Sequence, residues 1–112
     1  MRSQRVGDQL RNILANIFIS EIFIPEAGLL TINNVIMTDD LKIAKIYVSF
    51  LDNKESSKNI IEIMKKKKQQ IRYHIGNNID LRYTPELRFY YDDTMENVEN
   101  IGKLLNKIHK DD

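Results

Sequence analysis

A chain of 112 residues, 42% apolar and 29% charged, can hold one hydrophobic core but not two, so a single soluble globular domain with at most a loosely attached tail is expected. A formal net charge of +1 removes global basicity as an argument for nucleic acid, and the lack of cysteine excludes disulfides, thiol nucleophiles and Cys-ligated zinc or iron–sulfur sites. Met1 to Arg5 is basic, but Asp8, Gln9, Arg11 and Asn12 break any apolar run, and nothing approaches the roughly 20 apolar residues of a membrane span, so a cytoplasmic protein without a membrane partner is expected.

Val6, Leu10, Ile13, Leu14, Ile17 and Phe18 recur at helical spacing, and Pro25 forces Ile24 toward extended geometry, which predicts a first helix ending between Ser20 and Phe23. Pro25 to Gly28 reads as a turn in which Gly28 can take a positive φ. Leu30 and Ile32 alternate in one phase and Val35 and Met37 in the other, which predicts a strand over 30–37 with a bulge near Asn34. Ala44, Ile46, Val48 and Phe50 alternate with Lys45, Tyr47 and Ser49, the clearest half-buried strand in the chain.

Asp52 and Glu55 have the spacing of a helix cap ahead of Ile60, Ile61 and Met64. Lys65 to Lys68 with Gln69 and Gln70 then cover every azimuth of almost two turns, so the apolar stripe cannot run through and the helix must bend or emerge there. The stripe resumes at Ile71, Ile75 and Ile79, with Gly76-Asn77-Asn78 weakening the last turn. Leu87, Phe89 and Tyr91 alternate as a third strand, and Asp93 and Glu96 offer a cap for a final helix carrying Met95, Val98, Ile101, Leu104, Leu105 and Ile108. The order predicts an α+β fold in which helices cover one face of a three-stranded sheet, leaving Lys45, Tyr47, Arg88 and Tyr90 on the other. That second face is either open or covered by the last helix.

The lysine run is the main candidate site. Cations projecting in several directions suit the irregular phosphate surface of folded RNA; the alternative is a solvated helix end whose lysines the helix dipole favours. Lys58, Arg72, Arg82 and Arg88 extend the field, and Arg5, Lys42 and Lys45 join it as further candidate RNA contacts. Arg72 could instead cap a helix or pair with a carboxylate, Tyr47 and Tyr90 could stack bases or serve packing, and Arg2 with Arg5 reads as a basic first turn.

Catalysis finds little support. His74 and His109 lack zinc-ligand spacing, Asp39-Asp40 and Asp92-Asp93 suit turns and caps, Ser20 and Ser49 have no identifiable base, and the isolated Gly7, Gly28, Gly76 and Gly102 form no phosphate loop. No metal and no cofactor is expected. Other readings are a protein-interaction adaptor using the final helix and its acidic flank, a DNA-binding domain of the same fold and, remotely, a hydrolase.

Asn34-Val35, Asp40 to Ser49, Ile71-Arg72 and especially Pro85-Glu86-Leu87-Arg88-Phe89-Tyr90-Tyr91-Asp92 resemble bacterial ribosome-binding factor A. The likeness runs from Arg5-Val6 to the segment of Ile101 to Leu105, and its specificity lies in the ordered combination. The resemblance implies a type II KH-like domain over residues 1–94, of order α-β-β-α-α-β, followed by a C-terminal helix and charged tail over 95–112. It further implies a non-catalytic, cytoplasmic assembly factor, monomeric when free, that binds the immature small ribosomal subunit near its decoding region, assists maturation of the ribosomal RNA and supports growth in the cold. Such proteins carry a small residue, a variable residue and glycine at the kink between the central helices; Lys67-Lys68-Gln69 stands there in this chain. The substitution implies longer-range phosphate attraction in place of close backbone contact.

Overall fold

The computed structural model describes residues 2–93, so the final helix expected from the sequence, with Glu96 of its expected cap, lies outside the described residues. Helix α1 (Arg2–Ser20) is followed by a single 3-10 turn at Pro25–Ala27 and the strands β1 (Leu29–Met37) and β2 (Ile43–Leu51). Helices α2 (Ser57–Lys66) and α3 (Lys68–Asn78) then lead to β3 (Glu86–Tyr91). The sheet order is β1-β2-β3, with β1 antiparallel and β3 parallel to the central β2. The two helices therefore form the crossover that a parallel pair requires.

The bulge explains how one strand serves one core with two phases of apolar residues. Ile32 pairs with Val48 and Asn34 with Tyr47, so Asn33 is the extra residue. That insertion returns Val35 and Met37 to the face already used by Ile32, and all three are buried. The Asn33 amide is held across the sheet: its Nδ2 donates to Asp92 Oδ2 at 3.0 Å and its Oδ1 accepts from Ser49 Oγ at 3.2 Å.

On the covered face α1 packs on β1, α2 on β3, and α3 against α1 and α2. Leu10, Leu14, Ile46, Ile60, Met64, Ile71, Ile75 and Leu87 are fully buried, and among the described residues no polar or charged side chain is buried with them. Each contributes about 1.5–3 kcal/mol through removal of apolar surface from water. α1 approaches β1 closely because position 7 is glycine; a Cβ there would lie 2.7 Å from the Val35 carbonyl oxygen.

The cap of α2 differs from the sequence expectation. Asp52 adopts a left-handed φ of 58° as the chain leaves β2, so it cannot begin the helix. Ser56 is the cap instead, its Oγ accepting from the Asn59 amide at 3.2 Å. Glu55 lies outside the helix and accepts from Asn59 Nδ2 at 3.3 Å. Ser56→Ala should cost about 0.5–2 kcal/mol, read as a Tm lowered by about 4–8 °C for each kcal/mol, whereas Asp52→Ala should leave the helix cap intact.

Candidate nucleic-acid interface

The break between α2 and α3 is one residue long. Lys67, at φ −97° and ψ 6°, ends α2 and begins α3; its amide donates to the Met64 carbonyl at 3.0 Å and its own carbonyl accepts from the Ile71 amide at 3.0 Å. A negative φ is open to any L-residue, so the bend needs no glycine. Met64 and Ile71, on either side of the break, are fully buried, and the lysines between them carry no apolar side chain that would continue the stripe.

The run is not electrostatically uniform. Lys65 and Lys66 occupy the last turn of α2, where the negative end of the helix dipole favours cations, and Lys65 also pairs with Glu62 at 3.3 Å. Lys67 and Lys68 stand at the opposite pole: α3 begins there with no acidic residue in its first turn and no side-chain cap on its amides. Both are half-buried, while Lys65 and Lys66 are exposed. The dipole of α2 thus accounts for Lys65 and Lys66, Lys67 stands between the two helix ends, and the dipole of α3 opposes Lys68. Positive side chains, uncapped amides and the positive end of α3 converge on one spot, the arrangement that favours an anion.

Arg72 lies four residues beyond Lys68, one turn up α3, and its guanidinium donates to the Thr84 carbonyl at 3.0 Å. The bond ties α3 to the approach to β3 and orients the remaining guanidinium N–H groups. Lys58, in the first turn of α2, is two turns from Lys65 and shares its outward side, about 10 Å away along the axis.

The other expected contacts fall elsewhere. Lys45 and Arg88 are cross-strand partners on the sheet face opposite the helices, beside the stacked pair Tyr47 and Tyr90, whose ring centroids are 5.3 Å apart. Arg88 is engaged with Glu86 at 3.4 Å. Arg5, Lys42 and Arg82 lie at the end of the molecule where α1 begins and α3 ends, and Arg82 covers the Tyr83 ring at 5.5 Å from its centroid. The single basic field expected from the sequence is therefore three clusters, of which Lys65 to Lys68, Lys58 and Arg72 form the largest.

The paired acids of the β1–β2 connection have the turn role expected of them. Asp40 Oδ1 accepts from Thr38 Oγ1 at 2.6 Å and from the Lys42 amide at 3.0 Å. The threonine bond, followed by the amide bond, holds this exposed carboxyl below the ordinary aspartate value of 3.8. No group of three or more metal-ligating side chains exists among the described residues, and none of their helices is long and apolar enough to cross a membrane.

A helix-covered sheet of order α-β-β-α-α-β whose central helices meet at a basic break defines a type II KH-like domain. The family model for ribosome-binding factor A matches residues 2–105. A protein of Staphylococcus carnosus called ribosome-binding factor A is 35% identical over 112 residues, which is all of this chain and 97% of that one. This chain belongs to the ribosome-binding factor A family. Among solved structures, the crystal structure of ribosome-binding factor A from Thermus thermophilus superposes with a TM-score of 0.70 at 19% identity, covering 80% of this chain and 94% of that one. Coordinates of the Thermus thermophilus factor fitted into a cryo-electron-microscopy map of its complex with the 30S subunit give a TM-score of 0.69 at 18% identity, with 80% and 94% covered.

Proposed function

We propose that this protein is a ribosome-assembly factor that binds the immature small ribosomal subunit in the cytoplasm and assists maturation of its ribosomal RNA without making or breaking bonds. Family membership supports a ribosome-binding role, and the Thermus thermophilus relative is described in a complex with the 30S subunit. The observation that carries the RNA reading is the pair Lys67 and Lys68 where α3 begins with no acidic residue and no side-chain cap, Lys68 being a cation that the dipole of α3 does not favour. Lys65 to Lys68 hold the RNA backbone, and Arg72, fixed by Thr84, sets the approach angle of a neighbouring phosphate. Binding favours one conformation of the immature RNA by differential affinity, the only means by which a non-catalytic ligand shifts an equilibrium.

With bulky side chains at Lys67, Lys68 and Gln69, the RNA meets charge before it meets backbone, so recognition here is by phosphate geometry more than by base edges. The test is co-sedimentation with immature and mature small subunits across a salt series, with and without nuclease. Tighter binding to the immature particle, lost after nuclease and falling steeply with salt, is the expected result. Binding that survives nuclease and barely responds to salt would favour a protein-interaction adaptor instead.

A further inference from the structure

Arg2, Arg5, Gln9 and Asn12 follow one another at spacings of three, four and three, so they form a polar stripe along one side of α1, next to the apolar stripe that enters the core. Across from this stripe the last residue of α3 and the residues after it, Asn78 to Leu81, close a cleft of about 600 Å³. Its floor is apolar, made by Val6, Ile13, Ile79 and Leu81, and its rim is polar. The side-chain amides of Gln9 and Asn12 form no hydrogen bond among the described residues, and the Asn78 amide uses only Nδ2, which donates to the His74 carbonyl at 2.7 Å. A second cavity of about 300 Å³ shares Arg2 and Leu81 with the first and adds Lys42, Arg82 and Tyr83.

None of Arg2, Arg5, Lys42 and Arg82 forms an ion pair among the described residues. Of the two carboxylates on the walls, Asp40 is occupied by the turn it closes, which leaves Asp80 as an acceptor for a base N–H. An apolar floor with free side-chain amides on its rim and guanidinium groups that form no ion pair beside them matches a nucleotide: a ring to bury, edges to hydrogen-bond and a phosphate to neutralise. Asn78 stands ten positions beyond Lys68 on α3, so the two sites lie about 15 Å apart along the helix axis.

Resting on the ribosomal RNA reading above, we propose that the cleft between α1 and the end of α3 is a second RNA site that takes one unpaired nucleotide, with Arg2 and Arg5 on its phosphate and Lys42 and Arg82 on the adjoining one. Gln9, Asn12 and Asn78 read the edge of the base. The protein then holds its RNA at two points of different character, phosphate-only at the junction and base-inclusive at the cleft, which fixes orientation as one point cannot.

The full chain, isotopically labelled, is titrated by NMR with a single-stranded RNA hexamer of mixed sequence and, separately, with inorganic polyphosphate. The side-chain amides of Gln9, Asn12 and Asn78 should shift with RNA and not with polyphosphate, both in the wild type and in a variant with Lys65 to Lys68 replaced by Gln. Arg5→Gln with Arg82→Gln should weaken those shifts at least tenfold while leaving the rest of the spectrum in place. Shifts confined to the lysine junction, equal shifts with polyphosphate, or undiminished shifts in the arginine double variant would each overturn the proposal. If the amides respond to RNA as expected but the wild type fails to sediment with small subunits, the cleft stands as an RNA site and the ribosomal assignment falls.

Discussion

Replacing Lys65, Lys66, Lys67 and Lys68 together with Gln should weaken binding to immature small subunits by about two to three orders of magnitude near physiological salt and reduce the salt slope by about three to four units. The estimate follows from counterion release: each neutralised phosphate of a duplex contributes close to 0.9 to the slope. The fold should be almost untouched, because the core on either side of the break is made by Met64 and Ile71 and none of the four lysines is buried in it. Splitting the variant separates the two explanations of the run. Lys65→Gln with Lys66→Gln removes charges that the α2 dipole favours and should lower stability by about 0.3–1 kcal/mol per charge. Lys67→Gln with Lys68→Gln removes one charge that stands between opposite helix ends and one in the first turn of α3, and should leave stability unchanged or raised while still weakening RNA binding. A gain in Tm accompanied by a loss of affinity is the signature of residues retained for function against the preference of the fold. Equal affinity for the wild type and the fourfold variant, with the same salt slope, would remove RNA contact from this junction altogether.

Much of the fold is written in the phase of the apolar residues. The change of parity between Ile32 and Val35 can be reconciled with one core only by an inserted residue, and the structure places it at Asn33, one position from where the pattern alone suggests it. The bend at Lys67 is legible for the same kind of reason, since no continuous stripe survives the run. What the pattern cannot carry is distance between elements. Arg5, Lys42 and Arg82 look like outliers of the lysine field in the sequence, yet packing of α1 on the end of α3 gathers them into a cluster of their own. The stripe of Arg2, Arg5, Gln9 and Asn12 was readable as a periodicity, but a polar stripe on a surface helix is ordinary until something is found opposite it. The cap of α2 falls at Ser56 and not at Asp52 because both residue types suit a cap, and only the left-handed exit from β2 decides between them.

Gly28→Ala should cost about 2–6 kcal/mol, a large share of the roughly 5–14 kcal/mol expected for about 90 ordered residues. Gly28 has φ 62° and ψ −121°, a region that residues with a Cβ rarely enter, and a Cβ there would collide with the Leu51 carbonyl oxygen and lie 2.6 Å from that of Asp52. The turn has little freedom to retreat. Its other end is pinned where the Lys54 amide donates to the Glu26 carbonyl at 2.9 Å, the intervening Ala27 is fully buried, and α2 packs against it. Displacing the turn therefore displaces α2, and with it the helix end that carries Lys65 and Lys66. Urea unfolding should show a much lower midpoint, and loss of affinity for small subunits should track the unfolded fraction. An osmolyte that is excluded from protein surface, such as trimethylamine N-oxide, should restore binding to the glycine variant by restoring its fold. It should do nothing for the fourfold lysine variant, whose fold is intact and whose defect is missing charge. Rescue of both, or of neither, would mean that the junction and the turn act on RNA binding through one common cause, contrary to the separation of site and scaffold argued from their geometry.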